Sequence, residues 1–396
     1  MKRILGLTAT LLLACFVCFG CEPSANAPTQ TVEPATQATV PTVCTDIKPV
    51  TYPVAISEST FPEPVLLQAA EKADTDGDGT LTQAEAQAVK KMQLKKLLDD
   101  PDGLEDIPRP VYTADDFTMD LEGIQYFTGL THLTVNMLGG EIFVKEQPED
   151  ILATTKHFEN IYACTELESL CLSEIDAAGI DLSKFPRLGR LDLNYMYRLE
   201  ELNIPDTVSF LWTGDCHKLK KLDLSGASSL TELNIVSNNA LTQICFGDAN
   251  AVLETLQLNE LPALQEVDLS QLKNLKQLDI FDAALTDLDV SKNTALEQFC
   301  AEGLTLDTLD LRSNPNISYI INGKGSFETV LLADDNRVTM IRWTDAPITQ
   351  FPVTNLNPDT LEGIDIQGTA IRELDVRAYP KLEYLYYDEG VTTIIQ

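Results

Sequence analysis

The sequence predicts an α/β repeat protein, β-rich, in which a small helix-loop-helix module precedes a long solenoid. Three observations carry this. The pattern L-x-x-L-x-L, with other apolar residues admitted, returns about twenty times from residue 117 to 396, mostly at steps of ten or eleven. A twelve-residue acidic loop, DTDGDGTLTQAE, occupies Asp74 to Glu85. Residues 22–43 are rich in Pro, Thr, Ala and Gln and cannot bury a core, so folding is expected to begin after them.

The chain opens with Lys2 and Arg3, followed by an apolar run from Ile4 to Phe19. A basic n-region before a short apolar stretch is an export signal, assigned here to residues 1–20. It ends in CFGC, where a small residue precedes Cys21. That arrangement resembles a bacterial lipobox, in which the cysteine is lipid-modified and becomes the mature N-terminus. Cys15 is a rival, and ordinary signal cleavage is the alternative. Residues 21–56 are then a tether between a lipid anchor and the folded part.

Composition bounds the function. Hydrophobic content of 44% is ample for a core. The 28 basic residues face 61 acidic ones, a net charge of −33. Such a surface repels phosphate backbones and anionic headgroups, so nucleic acid is excluded as a partner. It suits divalent cations. Six cysteines beyond Cys21, in a remaining chain of more than 350 residues, are too sparse for a disulfide framework. Pairing of neighbours stays open.

The acidic loop fits calcium, a hard cation that takes six to eight oxygens. Asp74, Asp76 and Asp78 stand at loop positions 1, 3 and 5, and Gly79 stands at the turn position 6. Thr80 at position 7 offers its carbonyl, and Thr82 at position 9 a hydroxyl or bridging water. Glu85 at position 12 can bind through both oxygens. This is the complete D-x-[DN]-x-[DN]-G-x5-E pattern of an EF-hand. Thr60 and Glu63 are expected to cap the helix before the loop, with Val65, Ala69 and Ala73 on one face. After it, AEAQAVKKMQLKKLL is expected to be helical, with Val89, Met92 and Leu97 aligned. The module spans 57–100. No second loop follows, because DDPDGLED (Asp99 to Asp106) lacks the ligand spacing.

Two segments make a period of 21, as in Leu264, Leu285, Leu306, Phe327 and Ile348. That period belongs to leucine-rich repeats, whose units bury their apolar rows only by stacking. Repeats occupy 117–396, interrupted at about 136–163, where PEDILATTKHFENIYA is expected to be helical.

LTDLDVSKNTALEQFC (Leu285 to Cys300) resembles the repeat of a family of bacterial surface leucine-rich-repeat proteins found in gut Firmicutes and their relatives. LEGIQYFTGLTHLTV (Leu121 to Val135) is similar to that family's entry into its first repeat, and an EF-hand-like segment before it is a family habit. The resemblance covers roughly residues 60–396. It implies a cell-surface or secreted binding protein, with no catalysis implied. The family's Cys-Ser-Asn-Asn turn is mostly lost, with Ile280-Phe281-Asp282-Ala283 and Ala301-Glu302-Gly303-Leu304 in its place. The asparagine ladder is therefore expected to be incomplete.

Strand side chains alternate, so each segment presents residues outward between its leucines. In the series starting at Leu264 these are mostly polar and acidic. Asp268, Asp289 and Asp310 recur at 21 and would stack about 5 Å apart. Solvation explains such a column, and weak cation binding is the alternative. In the series starting at Leu275 the outward residues include Tyr319, Ile321, Met340, Arg342, Tyr384 and Tyr386. Apolar groups on a wet face mark a ligand surface, because Tyr and Arg concentrate binding energy. The competing account is that these repeats pack on another segment or a second copy.

Catalysis finds little support. His132, His157 and His217 have no companion at metal-ligand spacing, and no G-x-S-x-G occurs. Some carboxylates will be close by chance in so acidic a chain, so a glycosidase reading is unsupported. The expectation is a calcium-binding surface lipoprotein that holds a protein or glycan partner. A calcium-stiffened envelope spacer is the alternative, and an envelope hydrolase a remote third.

Overall fold

The computed structural model describes residues 50–95, 118–137, 154–353 and 355–394. The export signal, Cys21, the tether up to residue 49 with Cys44, Leu97, Asp99 to Asp106 and insertion residues 138–153 lie outside the described residues. Among the described residues, no helix is long and apolar enough to cross a membrane.

A thirteen-stranded, all-parallel sheet runs the length of the molecule. Its strands follow one another in chain order, from Lys91–Lys95 and His132–Asn136 to Gly363–Asp365 and Tyr384–Tyr386. Each long-sheet strand repeats one pattern, outward residues alternating with inward leucines. Leu170, Leu191, Leu211, Leu233 and Leu256 are adjacent in register and fully buried. Every leading residue of the repeats from Leu130 to Ile371 is buried, and only Leu382 at the far end is partly exposed. Full burial of one such side chain contributes roughly 1.5–3 kcal/mol, so this column dominates the stability of the stack.

The alternate segments form a second, discontinuous face. Glu201–Asn203, Lys221–Asp223 and Gln243–Cys245 make one short parallel sheet, and Thr305–Leu311 pairs with Ser326–Leu332. The segments around Val267 and Leu288 bury their leucines without forming strands. The carboxylates of Asp268 and Asp289 accept the backbone N–H two residues on, from Ser270 and Ser291, as Asp223 and Asp310 do in segments that are strands.

Two ladders replace the expected turn. Seven residues leaving long-sheet strands from Tyr195 to Asp345 are left-handed without being glycine: Tyr195, Asp215, Ser237, Glu260, Asp282, Lys324 and Asp345, with φ of 48–56°. Each such conformation costs about 1–2 kcal/mol. It is offset because the N–H groups from Tyr195 to Lys324 each donate to the last strand carbonyl of the next repeat, as from Asp215 to Val236 and from Glu260 to Phe281, while that of Asp345 reaches Gln367, just past its strand. On the opposite turn, asparagines form the second ladder. Asn293 donates to the carbonyls of Leu269 and Leu272, and Asn314 to those of Val290 and Asn293. Asn336 and Asn357 continue it. The asparagine ladder is therefore present, one turn away from where its loss was expected.

The N-terminal module departs from expectation in two places. Helix α1, Pro64–Ala73, has no side-chain cap. Glu63 is buried, and its carboxylate accepts the Asp120 N–H at 3.2 Å, so it ties the helix to the first repeat. Pro64 begins the helix, where its missing N–H costs nothing. The buried face is Leu66, Ala70 and Ala73 rather than Val65, Ala69 and Ala73. Helix α2 is only Gln83–Ala88. Lys91–Lys95 is the first strand of the long sheet, paired in parallel with His132–Asn136. The sequence KMQLK alternates with period two, which buries Met92 and Leu94 and exposes the rest.

The module and the repeats share one core. Phe61 packs edge-on against Tyr126, and its neighbours Leu66, Ala70 and Leu81 join the same apolar cluster. A Cβ at Gly129 would lie 2.3 Å from the Gln87 carbonyl oxygen, so this turn must be glycine for α2 to close on it. In the interruption, Thr154–Lys156 is a strand against Thr118–Asp120, and Phe158–Ala163 is a short 3-10 helix. The expected helix over PEDILATTKHFENIYA is absent from its described part, because Thr154-Thr155 pairs with the first repeat instead.

Asn314→Ala should destabilise the solenoid by about 2 kcal/mol, since it strands two buried carbonyls. Asn314→Asp should cost more, because a carboxylate cannot donate. Urea unfolding of both variants checks this ordering.

Candidate functional site

Two sites take shape at opposite ends of the sheet. The first is the acidic loop between α1 and α2. Gly79 has φ of 79°, which the sharp turn at position 6 needs. Asp74 accepts the N–H groups of Gly77 and Gly79 at 2.8 and 2.9 Å, and Asp78 accepts that of Thr80 at 2.7 Å. These bonds turn the carboxylates of Asp74, Asp76 and Asp78 toward one point, with an oxygen from each within 4.8 Å of the others. A calcium ion binds oxygens at about 2.4 Å, so its ligands can stand up to about 4.8 Å apart. The three carboxylates fit such an ion.

Thr80 is aimed by a strand. Thr80–Leu81 pairs antiparallel with Val54–Ala55, in the register Val54 to Leu81 and Ala55 to Thr80. Glu85 stands outside the three-carboxylate group. One of its oxygens accepts from Thr75 N–H and hydroxyl at 2.7 and 2.9 Å, the other from Thr82 N–H and hydroxyl at 3.0 and 2.8 Å. With the Glu85 N–H on Thr82 Oγ1, this is a full capping box for α2. To ligate a cation, Glu85 must give up part of this arrangement.

The loop's electrostatics follow. Hydrogen bonds from the Thr82 and then the Thr75 backbone hold the Glu85 carboxyl at about 2. Asp76 is lowered by the Asp78 amide, but the Asp78 carboxylate, burial, Glu85 and Asp74 together leave it raised. A site that favours neutralising its own carboxylate gains from a bound cation.

The second site is the far end of the long sheet. Tyr319, Met340, Gly363 and Tyr384 are neighbours across four strands, and Ile321, Arg342, Asp365 and Tyr386 form the parallel row. All six residues expected from the sequence thus share one face. Of the four large apolar side chains exposed among the described residues, three are Tyr319, Tyr384 and Tyr386. The tyrosine at 319 and that at 384 stand three strands apart, roughly 14 Å. Between them the Met340 methyl and sulfur lie over the space a side chain at 363 would fill. Arg342 is 3.4 Å from the Asp365 carboxylate, whose pKa burial raises.

The same face carries a cluster the sequence reading missed. Arg190 lies 3.6 Å over the Phe210 ring and forks onto Asp192 at 2.8 and 2.9 Å. Trp212 is half-buried, and its indole N–H donates to Asn194 at 3.0 Å, with the indole nitrogen beside the space a side chain at 214 would fill. The signal in the sequence is weak: Val208, Leu211 and Thr213 fill the buried positions, and a threonine in the last of them breaks the L-x-x-L-x-L pattern that would place Phe210 and Trp212 outward.

The Asp column at 21-residue spacing needs no cation. Asp268 is lowered by Ser270, Asp289 by Ser291 and Asp310 by Arg312, each a hydrogen-bonding neighbour two residues on. Asp375 is held at about 2 by Arg377 in the same way. Local donors offset the repulsion within the column.

The described cysteines, 164, 171, 216, 245 and 300, are free thiols. Burial pushes Cys164 and Cys216 up to about 12, which opposes a thiolate nucleophile at either. Cys216 is buried while His217 is exposed.

No protein-family model matches the sequence, and no curated protein matches it. Among solved structures, the functional domain of InlJ from Listeria monocytogenes, which includes a cysteine ladder, is similar with a TM-score of 0.55. Identity is 16%, over 86% of this chain and 72% of that one. The chain has the leucine-rich-repeat fold. Such solenoids offer an extended surface suited to protein interaction. No two of this chain's described cysteines are one repeat apart, so they form no ladder. An internalin, InlF from L. monocytogenes str. 4b F2365, is similar at a TM-score of 0.34 and 13% identity, over 87% of this chain and 93% of that one. The leucine-rich repeat domain of APL1B is similar at 0.37 and 15%, over 69% and 76%.

The depressed Glu85 pKa sets a pH dependence. The carboxylate's contribution is complete above its ordinary value, 4.5, and is lost as pH falls toward about 2. Urea midpoints measured across that window should fall for the native chain and fall less steeply for Glu85→Gln, since Asp375 and the other lowered aspartates still titrate there.

Proposed function

We propose that this protein is an exported, calcium-binding leucine-rich-repeat lipoprotein that holds a protein partner on its long sheet. The export signal and Cys21 support a lipid anchor on the bacterial cell surface, and residues 22–49 a tether from it. Calcium would be held by Asp74, Asp76, Asp78, the Thr80 carbonyl, Thr82 and Glu85. It would neutralise the loop and fix the first turn of α2.

The binding reading rests on one observation: among the described residues, three of the four exposed large apolar side chains fall together on one end of one sheet. A sheet face that must stay wet gains nothing from Tyr319, Tyr384 and Tyr386 unless a partner covers them. Met340, Ile321 and Arg342 fill the space between. Trp212, Phe210 and Arg190 extend the same face toward the middle of the solenoid.

Calcium should raise the melting temperature of the 44–396 fragment and EDTA should lower it, with Asp74→Ala and Glu85→Ala abolishing the difference. If calcium leaves melting unchanged, the loop is an acidic turn.

Tyr384→Ala, Tyr386→Ala and Arg342→Ala should each weaken partner capture from host or bacterial extracts at least about tenfold, as expected of hot-spot residues, with melting unchanged. Unchanged capture would favour a calcium-stiffened spacer.

A further inference from the structure

We infer that Val54–Ile56 is a calcium-coupled latch: cation binding at the acidic loop and docking of this strand are one linked event. The inference rests on the calcium reading above. Paired calcium loops orient each other through a short antiparallel bridge at positions 7 and 8. Here position 7 is Thr80 and position 8 is Leu81, and the bridge is made by Val54–Ala55, a segment with no acidic residue of its own.

The register explains why the strand matters to the cation. Ile56 N–H donates to the Gly79 carbonyl at 3.0 Å. In an antiparallel ladder, bonded and non-bonded pairs alternate. Ile56 with Gly79 is bonded, so Ala55 with Thr80 is the non-bonded pair. The Thr80 N–H and carbonyl therefore point away from the strand and into the loop. Its N–H does so, donating to Asp78 Oδ1 at 2.7 Å. Its carbonyl, on the same side of the backbone, is the oxygen that position 7 must supply. Removing the strand frees this peptide to rotate. Binding a cation to the carbonyl holds the peptide in the orientation the strand needs.

Apolar contacts anchor the latch without closing it permanently. Tyr52, Val54 and Ile56 are only partly buried against the core, while Leu81 across the bridge is fully buried. The Tyr52 hydroxyl reaches the Tyr126 carbonyl in the first repeat. Thus the strand touches both the loop and the solenoid. Released, residues 50–56 would add up to roughly 24 Å of extended chain between anchor and solenoid. Calcium thereby sets where the tether ends. Coupling is reciprocal, so the docked strand must also raise calcium affinity.

The test uses the full chain stripped with chelator and titrated with calcium chloride alone. Hydrogen exchange at the Ile56 amide should slow at least about tenfold on calcium addition, while amides in residues 255–281 stay unchanged. Ile56→Pro removes the N–H and should weaken calcium binding about tenfold by calorimetry, the worth of one hydrogen bond. Ile56→Ala keeps the N–H and should retain native affinity. Equal melting of the three chains in EDTA verifies that folding is intact. If calcium binds but neither exchange at Ile56 nor the affinity of Ile56→Pro responds, the latch is wrong and the calcium site stands. If no heat of binding is seen, both are wrong.

Discussion

The pairing of Lys91–Lys95 with His132–Asn136 governs the rest of the structure, because it joins the acidic loop's second helix to the long sheet. Met92 and Leu94 lie in register with Leu133 and Val135, and the strand itself becomes the edge of the sheet, with Lys91 and Lys95 exposed on it. The strand comes directly out of the acidic loop's second helix, three residues after Ala88. Had it continued as helix, the sheet would begin at His132–Asn136 with its leucines uncovered. The loop would then have no fixed relation to the solenoid. Glu63, Phe61 and Gly129 add contacts, but the strand makes them possible.

Charge is sorted by face, which limits what each face can meet. In the two outward rows of the long sheet, Lys91, Arg190 and Arg342 oppose Asp192, Glu232, Asp279 and Asp365. That near balance stands out in a chain of net charge −33. Asp279 is buried and raised by that burial, yet accepts amide N–H groups from Gln257 and Gln277, so even this acid is locally satisfied. Much of the acidity lies on the other segments and at their turns, where Ser or Arg neighbours hold Asp223, Asp268, Asp289, Asp310 and Asp375. A partner meeting the long sheet therefore meets aromatic rings and amides, not a field of carboxylates.

The repeat architecture was legible because its signal is redundant. One misread segment among twenty does not hide a column of buried leucines. The module was less legible because single short segments carry two meanings. Val89 and Met92 fit a helix, while Met92 and Leu94 fit a strand, and only the unpaired His132–Asn136 edge decides between them. The Glu63 side chain looked like a cap for its own helix, but an N–H 57 residues away competed for it. The cluster of Asp74, Asp76 and Asp78 was legible from their spacing, whereas the role of Glu85 in the capping box of α2 was hidden behind its motif position. The latch was not legible at all. Val54-Ala55 has no motif, and its role appears only when the register with Thr80–Leu81 is known.

The two sites are too far apart for one to gate the other directly. Twelve strand intervals at about 4.8 Å put the Tyr384–Tyr386 strand roughly 58 Å from Lys91–Lys95. In a solenoid each repeat contacts only its neighbours, so a stabilised cap strengthens nearby repeats and its influence fades along the stack. A stabilised N-terminal module can thus secure the first repeats while leaving the tyrosine face unchanged. Under the function proposed above, the loop would act at the start of the solenoid and the far end of the sheet on what it holds. The two ends can vary independently, because each intervening long-sheet strand pairs only with its immediate neighbours.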